Sequence, residues 1–359
     1  MTRLTRADLD ALPAYVPGRS VADLVRELGL AEAIKLASNE VPFGPLPGVA
    51  DAVADAVRGA HRYPDMGVVE LRDKLAGRYG VDPDRVVTGC GSVALTEHLI
   101  KATCLPGDEI VYSWRSFEAY PIIAAGSGAT SVRVPNTAGH GHDLPAMAAA
   151  ITDRTRVVLV CNPNNPTGTA VSRAELDRFL AAVPSDVLVV LDEAYREFVT
   201  DETVPDGLVA YGERPNVVVL RTLSKAWGLA GLRVGFLVAQ PAVAAAIRKV
   251  VTPFSTSLVA QAAALAALDQ AAEVGRRCAL VVSERERVAE ALHKLAVVVP
   301  ESQANFVWLP LGERSAAFGA ACEARGVIVR PFAPEGVRVT IGTPDENDAF
   351  LAAAEAALA

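Results

Sequence analysis

Leu220-Arg221-Thr222-Leu223-Ser224-Lys225-Ala226-Trp227-Gly228-Leu229-Ala230-Gly231-Leu232-Arg233-Val234-Gly235 joins an apolar run beginning at Val217 to a short loop. The loop carries two hydroxyls, one lysine and, eight residues further on, an arginine. Its glycines let the backbone approach a ligand closely. A single lysine after a strand is ordinarily a solvated surface residue. Here Thr222, Ser224 and Arg233 surround Lys225 with groups suited to holding a phosphate, which gives the amine a different prospect.

Outward from this stretch, short β-rich apolar runs alternate with helical patterns. Strands are expected at 85–88, 109–113, 131–134, 156–161, 187–191, 216–220 and 234–239, with helices at 68–79, 93–104, 173–182 and 241–250. Such alternation argues for an α/β fold built on a mainly parallel sheet with helices on both faces. An Ala/Leu-rich segment at 258–291 reads as one long helix. Beyond it, strands at 296–299, 305–309, 328–330 and 337–341, with helices at 315–325 and the end of the chain, read as a smaller α+β unit. The division expected is an N-terminal segment at 1–35, a large domain at 36–255 and a small domain at 256–359 that includes the connecting helix.

Three further motifs sit where strands end. Asp192 closes the apolar run Val187-Leu188-Val189-Val190-Leu191 and precedes Lys225 by 33 residues. A carboxylate there lies at the end of a sheet where α/β folds bind ligands, although a turn aspartate would look the same in isolation. Cys161-Asn162-Pro163-Asn164-Asn165-Pro166-Thr167-Gly168 makes a rigid turned loop after another strand. Thr88-Gly89-Cys90-Gly91-Ser92-Val93-Ala94 lies between a strand and a helix, where free N–H groups and Ser92 form a ready phosphate site. This last segment also fits the G-x-G-x-x-A dinucleotide fingerprint. That fingerprint wants an acidic residue closing the next strand, and Asp108 and Glu109 precede theirs.

In this order and spacing the motifs resemble those of the aspartate-aminotransferase superfamily, pyridoxal 5′-phosphate enzymes of fold type I. The resemblance extends from Tyr15 to about Thr343, and most closely to the branch of histidinol-phosphate and aromatic amino acid aminotransferases. It implies that Lys225 forms a Schiff base with the cofactor, and that Thr222, Ser224, Arg233, Ser92 and the backbone of Val93 hold its phosphate. Asp192 would keep the pyridine nitrogen protonated, while Tyr195 and Asn165 would donate to the phenolic oxygen. Phe117 would stack on the ring. Tyr63 would reach the phosphate of a neighbouring subunit, making a homodimer with shared sites. Arg338, inside an alternating strand, would grip the substrate α-carboxylate with its planar fork. Asn39, Tyr15 and Arg330 would line the substrate side.

Composition narrows the partners. Of 359 residues, 51% are hydrophobic, and 34 Lys and Arg against 42 Asp and Glu give a net charge of −8. That balance argues against nucleic acid or an anionic membrane. No apolar run reaches the roughly 18 residues of a membrane span, and the opening Met-Thr-Arg-Leu-Thr-Arg-Ala-Asp lacks a signal-peptide core. Five scattered cysteines without a C-x-x-C point to reduced thiols and a cytoplasmic setting. His140 and His142 form an isolated H-x-H with no further ligands nearby, so no metal is expected.

The expected activity is amino-group transfer between aromatic L-amino acids and 2-oxoglutarate. Relatives acting on histidinol phosphate commonly read Gly-Ser-Asp-Glu where this chain has Gly91-Ser92-Val93-Ala94. Trp114-Arg115-Ser116-Phe117 and Pro253-Phe254-Ser255 also look more like the aromatic branch. Histidinol phosphate is the alternative substrate, since its phosphate could use the same arginine. A lyase or decarboxylase on the same fold and a non-enzymatic cofactor-binding sensor are the other readings; the sensor would need a partner module.

Overall fold

A computed structural model describes residues 4–6, 10, 12, 20–29 and 32–359. In chain order the strands are β1 (Ile34–Lys35), β2 (Val86–Gly89), β3 (Glu109–Trp114), β4 (Thr130–Pro135), β5 (Thr155–Cys161) and β6 (Leu188–Asp192). They continue with β7 (Val217–Thr222), β8 (Gly235–Val238), β9 (Phe306–Leu309), β10 (Val327–Ile328), β11 (Arg330–Phe332) and β12 (Gly336–Thr340). Seven of them form one sheet in the order β2-β8-β7-β6-β5-β3-β4. Within it only β8 runs antiparallel to its neighbours.

The inner strands are apolar on both faces because helices cover both. Val158 and Val160 of β5 enter one core layer, whereas Val157, Leu159 and Cys161 enter the other. This side-to-side alternation follows from the period of two along a strand. Register then aligns the strand ends: Cys161 pairs with Asp192, Asp192 with Leu220, and Thr222 with Gly235. Gly235 pairs in turn with Gly89. Four loops therefore leave the sheet along a single edge.

A second sheet, β11-β12-β9, is antiparallel, and β1 pairs in parallel with β10. The chain after residue 292 departs from expectation in two places. Residues 296–299 form no strand: Ala296 adopts a left-handed φ of 60° and Val297 N–H donates to Leu292 O. They close the preceding helix instead of pairing. The strand expected at 328–330 is divided, with Ile328 in the pair with β1 and Arg330 in the second sheet. The expected long helix is also two, Leu258–Leu268 and Ala271–Lys294. Lys74 closes the first of these, donating to Leu265 O and pairing with Asp269 at 2.7 Å. Among the described residues no helix is long and apolar enough to cross a membrane.

Beneath the common edge lies a buried charge cluster. Arg221 in β7 is 4% exposed and Glu193, directly after β6, is 3% exposed. Arg221 Nη2 donates to Glu193 Oε2 at 2.6 Å and to Asp206 Oδ1 at 2.8 Å, and Gly207 N–H donates to Glu193 Oε1 at 2.7 Å. Arg221→Met would strand two acids, one of them fully buried. It is expected to destabilise the protein by about 3–5 kcal/mol, read as a lowered urea midpoint at unchanged slope.

Candidate active site

The edge loops enclose a cavity of about 240 Å³ against the second sheet. Its lining includes Asn39, Ser92, Val93, Phe117, Asn165, Asp192, Tyr195, Thr222, Ser224, Lys225, Arg233, Arg330 and Arg338. Tyr63 does not line it, and Tyr15 lies outside the described residues.

Lys225 is held by its loop. Ser224 N–H donates to Thr222 Oγ1, Leu229 N–H to Leu223 O, and the buried Trp227 indole to Glu197 Oε1 at 2.9 Å. The amine points inward and donates to Ser38 O at 3.1 Å. Burial, then the positive charges of Arg338 and Arg233, lower its pKa to about 7. A lysine so placed gives up its proton far more readily than an exposed one.

Asp192 lines the same cavity and is 4% exposed. Its Oδ2 accepts from the Tyr120 hydroxyl at 2.8 Å, while Oδ1 has no protein partner. Burial raises the carboxyl to about 6, against the lowering effect of Tyr120 and the Ala194 N–H. A buried oxygen left without a donor is costly, so Oδ1 marks a place for a ligand N–H.

An anion cradle closes one end. Helix Gly91–Thr103 begins without a side-chain cap, leaving its first N–H groups available to an anion. A side chain at Gly91 would collide with the Arg233 guanidinium, and a Cβ at Gly235 would lie 2.8 Å from Ser92 N. These two glycines allow helix start, β8 and arginine to converge. Arg233, at φ 58°, donates to Ser224 Oγ at 3.3 Å and Ala230 O at 2.9 Å.

At the other end Arg338 is 8% exposed and donates to Asn165 Oδ1 and Ala37 O, each at 2.6 Å. With its oxygen on Arg338, the Asn165 amide has only its NH2 to donate elsewhere. Tyr195 OH accepts from Asn39 Nδ2 at 2.9 Å, and burial pushes the phenol well up. Asn39 is fixed in turn by Thr340 and Asn305. Phe117 packs edge-on against Tyr120 at 5.5 Å. Tyr63 is 82% exposed and stacks on Phe254 at 4.6 Å.

Neither histidine of the H-x-H belongs to the site. His142 Nε2 lies 2.7 Å from Cys161 O, and burial lowers the ring to about 4. His140 packs edge-on to Trp308. Among the described residues no cluster of His, Cys, Asp and Glu is arranged to hold a metal. Glu109, the acid considered for a dinucleotide, sits at the start of β3 bound by Thr152 and Arg154.

Residues 31–353 match the family described as aminotransferase class I and II. The chain belongs to that family. This aminotransferase is 58% identical over 350 residues to the aromatic amino acid aminotransferase of Streptomyces avermitilis, covering 98% of this chain and 96% of the relative. It is 56% identical over 352 residues to the enzyme of the same name from Rhodococcus jostii, covering 98% and 95%. Among solved structures, histidinol-phosphate aminotransferase from Sinorhizobium meliloti in complex with pyridoxal-5′-phosphate is similar at 28% identity and a TM-score of 0.89. That match covers 100% of this chain and 98% of the other.

The cavity also contains residues that the motifs did not single out. Ala37 and Ser38 offer backbone oxygens, and Cys161 ends β5 beside Asp192. Glu118 lines the wall beside Phe117, and Tyr120 bonds Asp192 from behind. Tyr120 lies three residues after Phe117, and Cys161 closes its apolar run as Asp192 does. Position relative to a recognised residue was the available signal.

The depressed Lys225 amine has a thermodynamic signature. Its folded value near 7 lies below the ordinary 10.5, so between those pH values the unfolded chain binds the extra proton. Stability from this residue therefore rises with pH across that window. Freed of small molecules, Lys225→Met is expected to melt above wild type at pH 6.5, with the gap closing towards pH 10. Melting curves at four pH values test this; a gap independent of pH contradicts it.

Proposed function

We propose that this chain is a pyridoxal 5′-phosphate-dependent aromatic amino acid aminotransferase, with 2-oxoglutarate and glutamate as the second couple. One observation carries the reaction class: Lys225, Asp192 and Arg338 converge on one cavity that also has an anion cradle. Identity of 53–58% over nearly the whole chain to eight relatives named for aromatic substrates supports the substrate class.

The residues fit the cofactor. Asp192 Oδ1, otherwise unpartnered, suits a protonated ring nitrogen, and the near-neutral Lys225 amine suits its carbonyl. Ser92, the Val93 N–H, Thr222, Ser224 and Arg233 would hold the phosphate. Phe117 would cover a ring face, and Tyr195 with the Asn165 amide would serve the phenolic oxygen. When bound, this group supplies an electrophilic carbonyl and an electron-accepting ring.

The chain's own residues then divide the work. Arg338, its fork already oriented by Asn165 and Ala37, binds the substrate α-carboxylate. Lys225 Nζ removes the proton from the substrate α-carbon and holds it for return, a role matched to a pKa near 7. Tyr120 keeps Asp192 ionised and oriented by donating to Oδ2.

The functional unit is a cytoplasmic homodimer. Tyr63, Phe254, Met66 and Val69 are all exposed and lie outside the cavity, a patch suited to covering by a second copy. Tyr63 would act there in the neighbouring site. The division proposed is the N-terminal segment 1–35, a large domain at 36–255 and a small domain at 256–359.

Histidinol phosphate is the second reading, favoured by the solved structure named for it and by the guanidinium at Arg338. Steady-state kcat/KM with 2-oxoglutarate as acceptor decides: phenylalanine is expected to exceed histidinol phosphate at least about tenfold, a difference of about 1.4 kcal/mol. The reverse order would assign the chain to histidinol phosphate. Arg338→Lys keeps charge but loses the fork, and is expected to lower kcat/KM for phenylalanine and glutamate alike by at least about tenfold. An unchanged value for glutamate would move the carboxylate anchor elsewhere.

A further inference from the structure

Lys225 and Tyr195 each open a turn that closes three residues on. Gly228 N–H donates to Lys225 O at 2.9 Å, and Phe198 N–H donates to Tyr195 O at 3.0 Å. Trp227 holds the third place of the first turn, and Glu197 the third place of the second. These two side chains meet, the indole N–H donating to Glu197 Oε1 at 2.9 Å. The ladder between β6 and β7 ends at Leu220, whose carbonyl accepts from Glu193 N–H. Beyond that point the two segments leave the ladder, and the indole bond joins them again. Trp227 is 1% exposed, and Arg78 lies over its ring at 4.9 Å. Among the described residues the indole is the single donor to the Glu197 side chain. For packing alone an apolar ring would serve, with no buried donor to satisfy. The polar pair adds a fixed distance and direction.

We infer that the Trp227–Glu197 bond is a positioning contact that holds the Lys225 amine and the Tyr195 hydroxyl at a set separation. Lys225 and Tyr195 line the cavity, whereas Trp227 and Glu197 do not. Each of the latter acts through the residue two places before it. The inference rests on the site proposed above, in which Lys225 meets the cofactor carbonyl and Tyr195 donates to the phenolic oxygen. Drift of Tyr195 would weaken that donation and leave the oxygen more basic. The proton affinity of the Lys225 nitrogen beside it would then rise. The same drift would misalign the amine for proton transfer.

The test follows the visible absorption of cofactor-loaded enzyme against pH, beside steady-state kinetics with phenylalanine and 2-oxoglutarate. Trp227→Phe keeps an aromatic ring but removes the donor. Glu197→Ala removes the acceptor, and Glu197→Gln keeps an acceptor oxygen. Trp227→Phe and Glu197→Ala are each expected to raise the pH midpoint of the absorbance change by about half a unit. Each is expected to lower kcat by about tenfold while KM changes less than about twofold. Glu197→Gln is expected to stay near wild type in both readings. The double variant Trp227→Phe/Glu197→Ala is expected to be no worse than either single one, because the two residues serve one contact. A contact that only supports the fold would lower the melting temperature and leave the midpoint in place. A midpoint unmoved in Glu197→Ala, or moved equally in Glu197→Gln, overturns the inference. Where Trp227→Phe does not fold by circular dichroism, the two variants of the half-buried Glu197 decide alone. Failure of the underlying site appears separately, as wild-type protein that forms no visible band with pyridoxal 5′-phosphate.

Discussion

Arg338 joins the two sheets through neutral oxygens. One nitrogen donates to Asn165 after β5 of the central sheet, the other to Ala37 beside β1. Burying a guanidinium is unfavourable unless its protons are engaged, and these bonds allow β12 to approach the central sheet with a charge facing the gap. The cavity exists because of that approach. Its positive charge also acts at a distance, since Arg338 is the next cause after burial in lowering the Lys225 amine. One side chain therefore bridges the two sheets and also lowers the proton affinity of the Lys225 amine.

The same economy governs Asp192. Its burial is unfavourable for the ionised form, and Tyr120 offsets part of that by donating to Oδ2. The other oxygen keeps its full need for a donor. A site that held both oxygens with protein donors would be more stable when empty and less able to recruit a ligand N–H. Here the unfavourable terms, a raised acid and a lowered amine, lie across one cavity and are relieved by the same occupant.

Much of this was legible in the chain. Apolar runs at 217–220, 187–191 and 156–161 revealed strands that stop near one another, because a buried parallel strand is apolar over most of its length. The expected fold and the cavity-lining positions from Asn39 to Arg338 came from that logic and from a family resemblance. Legibility failed where long-range contacts decide. Nothing in the Ala/Leu pattern of 258–291 marks a break at Asp269, which Lys74 fixes from another helix. Val297 and Val299 have strand-forming side chains, but the backbone at Ala296 turns to close a helix. Glu118 looks like any solvated helix-start acid until Arg330, 212 residues later, meets it.

The reversed strand β8 has a mechanical consequence. Neighbour pairs in the central sheet that do not include β8 are parallel and are separated in sequence by helical chain, but β7 and β8 are joined directly through the Lys225 loop. The amine leaves the end of one strand and Arg233 enters the start of the next, with Thr222 and Gly235 in register between them. Amine and phosphate cradle thus belong to one short bracket anchored at both feet. Arg338 and Arg330 belong to the other sheet. The separation of the Lys225 amine from Arg233 is therefore set within the central sheet alone, whatever the approach of the second sheet. Arg338, bonded to Asn165, ties the second sheet to that same frame across the cavity.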